Sequence, residues 1–164
     1  MSEESAKTDA LATLIKAAFD GLDPPSDDEL LHPDCIDDVD ILEFYGGIRL
    51  QEMTDHLIVD GYAAPTAFSA RAFRYFLPAY LMWALRNPDS PEHASESILL
   101  ALDPGTSKEM LHDFRVSKFS LFTIEQKDAV QKFLYYFADH PSLGEFADAA
   151  LLNYWSNEQF RVTD

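Results

Sequence analysis

The sequence predicts an all-α fold: one compact domain of about six or seven helices, several of them short, with the central helix kinked at a proline. Three observations carry that prediction. Capping boxes stand at Ser26 with Glu29, Thr123 with Gln126, and Ser142 with Glu145. Apolar residues recur with the 3.6-residue helical period at 6–19, 70–86 and 123–138. The chain has 164 residues, 47% of them apolar, which suits one domain with an ordinary core.

Residues 6–19 read as an amphipathic helix with Leu11, Leu14, Ile15, Ala18 and Phe19 on one stripe. Gly21 offers a stop, and Pro24-Pro25 forbids continuation. The Ser26 box opens a short helix to about His32, ended by Pro33. A further short helix over 37–45 turns Val39 and Leu42 inward, with Ile41 as another candidate, and ends at Gly46-Gly47. Over 48–62 two readings stand: Thr54 caps a short helix burying Leu57 and Ile58, or Ile48-Arg49-Leu50 is extended.

Ser69 caps the central helix, whose inner face is Phe73, Phe76, Leu77, Tyr80, Leu81 and Leu85. Pro78 lacks an N–H and crowds the preceding turn, so a kink or two helices joined end to end is expected near Leu77. Pro91, after Ser90, is placed at the first position of the next helix, which buries Ile98, Leu99 and Leu102. Asp103-Pro104-Gly105 is a turn, 107–114 a helical turn, and 115–122 ambiguous. The Thr123 box opens a helix to about Ala138 with Val130, Phe133, Leu134 and Phe137 inward. His140-Pro141 breaks it, and the Ser142 box opens a last helix to about Trp155, burying Leu143, Phe146, Ala147, Ala150, Leu151 and Tyr154. No repeat or linker divides the chain, so residues 1–164 read as one domain.

Net charge is −17, and it is unevenly placed. Residues 20–60 hold thirteen acids against the single base Arg49, a net of −12. Such a surface repels nucleic acid and anionic membrane and attracts basic partners. A general adaptation to salt would spread acids everywhere, whereas residues 61–164 carry thirteen acids and nine bases. No apolar run reaches a membrane-spanning length, and the N-terminus lacks a signal-peptide pattern, so a soluble, cytoplasmic protein is expected.

Motifs of catalysis are sparse. The six glycines form no phosphate loop, and no Gly-x-Ser-x-Gly elbow occurs. The five histidines read as surface or capping residues, and the lone Cys35 as a small part-buried side chain. Asp37, Asp40 and Glu43 would share a helix face, yet they lack the glycine and spacing of a calcium loop and read better as solvated acids. Aromatic stripes near Arg71, Arg74 and Arg86 read as core.

Two stretches carry a resemblance: Phe73-Arg74-Tyr75-Phe76-Leu77-Pro78-Ala79-Tyr80-Leu81, and Phe122-Thr123-x-x-Gln126 followed by Ala129-Val130 and Phe133-Leu134. Together they resemble a family of small, acidic, uncharacterised bacterial proteins. The resemblance implies no activity, and its shared residues shape helices, so no functional residue is carried over.

The expected function is therefore binding rather than catalysis, with no cofactor and no metal. The partner is a basic protein, for instance a toxin neutralised by an immunity protein, met by Asp27, Asp28, Glu29, Asp34, Asp37, Asp38, Asp40 and Glu43. The alternatives are an enzyme with a carboxylate-lined, metal-binding pocket and an oligomer-forming structural protein.

Overall fold

The computed structural model describes residues 2–33 and 39–156, with the side chains of Val39 and Asp40 left aside. Cys35, Asp34, Asp37 and Asp38 lie outside the described residues.

The fold is all-α. Eight α-helices follow one another among the described residues: α1 (Glu3–Ala18), α2 (Val39–Tyr45), α3 (Asp55–Asp60), α4 (Ala70–Arg86), α5 (Ala94–Ala101), α6 (His112–Ser117), α7 (Ile124–Ala138) and α8 (Gly144–Ala150). Short 3-10 turns stand at Asp27–Glu29, Leu50–Glu52 and Ala64–Thr66. The one β-type pairing described is an isolated antiparallel bridge between Leu31 and Phe68.

Local caps set four of these eight helices. Ser2, Thr54, Ser69 and Thr123 each accept a hydrogen bond from a backbone N–H three residues on, satisfying a donor the first turn leaves open. Thr54 thus opens α3, which settles the helical reading of that region, and Ile58 is buried. At Thr123 the box does more: Gln126 accepts from the Thr123 N–H at 3.0 Å and donates to the Ala18 carbonyl at 3.1 Å. One side chain therefore caps the start of α7 and the end of α1.

α4 is the centre. It stays α-helical through Pro78 rather than dividing in two, and it is buried nearly all round. Phe68, Phe76 and Tyr45 pack at centroid distances of 5.2 to 5.5 Å on one side of it. On another, Phe73 meets Phe119 and Phe122. α1 packs on α4 and α7, α5 on α4 and α8, and α7 on α8.

Several local expectations give way to tertiary contacts. The helix expected after Ser26 is only a 3-10 turn. Leu30 and His32 pair instead with Ser69 and Ala67, through Ser69 N–H to the Leu30 carbonyl and His32 N–H to the Ala67 carbonyl, both 2.9 Å. α5 starts at Ala94, not Pro91, because the Ser90 hydroxyl accepts from the Glu92 N–H and holds a turn there. Ser142 does not cap α8. The N–H groups of Ser142 and Leu143 donate to His140 Nδ1, each at 3.2 Å, so the histidine takes the cap's place. With Nδ1 accepting, the ring proton sits on Nε2 and points to Asp89 Oδ1 at 2.9 Å. After Ala150 the chain winds into a π turn over Leu151–Trp155, closed by Ser156 N–H on the Leu151 carbonyl. The wider turn brings Trp155 fully inside and leaves Tyr154 half-buried.

Candidate functional site

The acidic stretch folds around two short segments. Pro25 and Leu30 are buried, so the turn between them projects Asp27 and Asp28 into solvent. Glu29 is held differently. Its Oε1 accepts from the Ser26 N–H and hydroxyl at 3.2 and 2.9 Å, and its Oε2 meets Arg71 at 2.9 Å. These bonds, the backbone one foremost and the Arg71 guanidinium adding to them, hold its carboxyl below the ordinary carboxylate range. The Ser69 hydroxyl also donates to the Glu29 carbonyl. Glu29 is thus a clamp between the acidic turn and the start of α4.

On α2, Ile41 and Tyr45 face the core, one helical turn apart. Leu42, expected inside, is 38% exposed, because the helix turns toward Tyr45, whose hydroxyl meets that of Tyr80 at 2.6 Å. Glu43 and Phe44 are also exposed. The two acidic segments meet at Gly46: a Cβ there would stand 3.1 Å from Asp27 Oδ1. Gly47 then takes a φ of +75°, which glycine adopts at no steric cost, and reverses the chain.

The structure leaves Asp27, Asp28 and Glu43 exposed, sets Asp27 beside Gly46 just past α2, and ties Glu29 to Ser26 and Arg71. Asp34, Asp37 and Asp38 lie outside the described residues, and of Asp40 only the backbone, in α2, is described. Nearby cations serve other acids: Arg71 pairs with Glu29 and Arg86 with Asp55 at 3.2 Å. Among the described residues no ion pair involves Asp20, Asp23, Asp27, Asp28 or Glu43.

Two buried polar arrangements escaped sequence reasoning. Lys118 is 3% exposed, and its ammonium donates to the carbonyls of Pro65, Thr66 and Phe68 while standing 5.0 Å from the Phe114 ring. Nothing periodic surrounds it, so no local signal could reveal it. The second is the Tyr45–Tyr80 pair, whose ionisation burial pushes up, much further for Tyr80.

Grooves of about 450 Å³ and 420 Å³ lie beside Pro78 and beside Lys118, and neither joins a histidine to carboxylates. Among the described residues no group of three His, Cys, Asp or Glu side chains is placed to hold a metal ion. No helix among them is long and apolar enough to cross a membrane.

Fold and composition together define a small all-α protein of strongly acidic charge. The chain belongs to the family of unknown function DUF6714, which matches residues 7–159 and so spans both the helix around Pro78 and the helix start at Thr123. No curated protein and no solved structure matches it.

Proposed function

We propose that this protein is a binding module whose acidic face captures a basic protein. One concrete form is an immunity protein that covers the basic site of a toxin. The observation that supports this reading most is the set of exposed acids, Asp27, Asp28 and Glu43 with Asp20 and Asp23, standing without a neutralising cation among the described residues. A fold whose own needs governed these charges would pair them or intersperse bases, as it does at Glu29 and Asp55. Clustered charge of one sign steers an oppositely charged partner and speeds encounter, an effect that salt screens over about 8 Å at physiological strength.

The test is capture from native lysate at low salt by the wild-type protein and by a variant carrying Asp27→Asn, Asp28→Asn and Glu43→Gln. Glu29 is left in place because it clamps the fold. The expected result is a basic protein held by the wild type, released by added salt, and lost by the variant at unchanged melting temperature. Lysine at the same three positions should weaken capture further and flatten its salt dependence. A partner held equally by wild type and variant would refute the reading.

A further inference from the structure

We propose that the groove between α1 and α7 is a second docking site, one that receives a basic amphipathic helix. The two helices run antiparallel: Thr8 meets the Tyr136 hydroxyl at 3.0 Å near one end, and Gln126 holds the Ala18 carbonyl at the other. Along their outer side lie two adjoining cavities of about 870 and 500 Å³ that share Leu14, Lys132 and Tyr135. Each is large enough for a recognition site. Together they follow α1 from Glu4 to Ala18, a length of about 21 Å by the helical rise. A partner helix of about fourteen residues matches that length.

The groove wall suits a helix. Ala10 and Ala17 are exposed small residues on α1, which let another backbone approach closely, while Leu14, Ile124 and Tyr135 supply apolar surface. Tyr135, in the last turn of α7, is 52% exposed. This is the lining that takes an apolar helix face at i, i+3, i+4 and i+7.

Charge selects the partner. Lys7 pairs with Glu3 and Lys132 with Asp128, within 3.6 and 2.8 Å, whereas Glu4, Glu125 and Asp139 on the rim enter no ion pair among the described residues. A net charge of −17 opposes a second copy of this chain in the groove. A helix with lysines or arginines flanking an apolar stripe satisfies both floor and rim.

The test uses a fluorescein-labelled fourteen-residue Leu/Lys amphipathic helical peptide, read by anisotropy. Its controls are a peptide of the same composition with the pattern scrambled and an oligolysine of equal charge. The wild type should bind the amphipathic peptide at least about tenfold more tightly than either control. Ala10→Arg with Ala17→Arg fills and recharges the groove from exposed positions. It should remove at least about tenfold in affinity with an unchanged melting temperature. Glu125→Gln with Asp139→Asn, a second variant, should weaken binding and reduce its salt dependence. Equal binding of the scrambled peptide, or affinity untouched by the arginine pair, would overturn the proposal. So would a loss confined to the Asp27, Asp28 and Glu43 variant, which would assign the peptide to the acidic face. Self-association of the wild type that the arginine pair abolishes would overturn it in favour of a second copy. The acidic-face reading stands or falls separately, on its own variant.

Discussion

Replacing Tyr80 by phenylalanine deletes one oxygen from the middle of the fold, and its cost can be worked through bond by bond. The Tyr80 hydroxyl donates to the Gly61 carbonyl at 3.1 Å and lies 2.6 Å from the Tyr45 hydroxyl, which is left as the donor to it. The Gly61 carbonyl keeps another partner, the Ala64 N–H at 3.0 Å. The loss therefore falls on Tyr45, whose remaining acceptors are the Leu57 and Gly61 carbonyls at 3.5 and 3.4 Å. Leaving a buried hydroxyl so poorly partnered costs about 1–3 kcal/mol. Tyr45→Phe is milder, at about 0.5–1.5 kcal/mol, because Tyr80 retains its bond to Gly61. The double variant leaves neither hydroxyl behind, so it should cost less than the sum of the singles by about 1 kcal/mol.

Urea unfolding of the four proteins measures this cycle. Strictly additive costs would refute the coupling. The same pair predicts a pH response. Burial raises both ionisations above the ordinary tyrosine value. Below about pH 10 both states keep their protons, and the native environment is fully tolerated. Above it the unfolded chain releases protons that the native fold retains, so stability falls as pH rises, by about 1.4 kcal/mol per pH unit for each such group. Wild-type protein should thus lose stability steeply above about pH 10, and the double phenylalanine variant should lose it more gently. An equal slope for both would count against the burial argument.

Other perturbations probe the remaining supports. Lys118→Met keeps the stem but strands three carbonyl acceptors, so unfolding free energy should drop by about 1–3 kcal/mol, read as a fall in melting temperature. Gly61→Ala places a Cβ 1.9 Å from the Tyr45 hydroxyl and 2.7 Å from the Leu57 carbonyl, so unfolding free energy should drop by about 1–3 kcal/mol. Thr123→Ala removes the acceptor for the Gln126 N–H at 3.1 Å, and denaturant titration should show a loss of about 1 kcal/mol.

What the sequence alone determined lies within about one helical turn. Ser69 and Thr123 cap helices because their oxygens reach an N–H three residues on, whatever surrounds them, whereas at Thr54 the structure chose the capped helix from two readings that the sequence left open. The inner stripes of α4 and α7 were legible for the same reason, since an apolar period of 3.6 leaves one face to bury. Charge asymmetry over 20–60, and so the acidic character of the candidate site, is a property of composition. Tertiary structure decided which acids are paired. Glu29 is bridged by Arg71, forty-two positions away, and no spacing rule links them. It decided that Leu42 faces outward, because Tyr45 finds Tyr80, and that His140 rather than Ser142 opens α8. Lys118 and Phe119 were illegible in their aperiodic stretch, because their places are set by the distant carbonyls of 65–68 and by Phe73 and Trp155. The α1–α7 groove belongs to the same class, for it exists only once two helices far apart in the chain lie side by side, and burial and pairing at such distances depend on the whole packed fold.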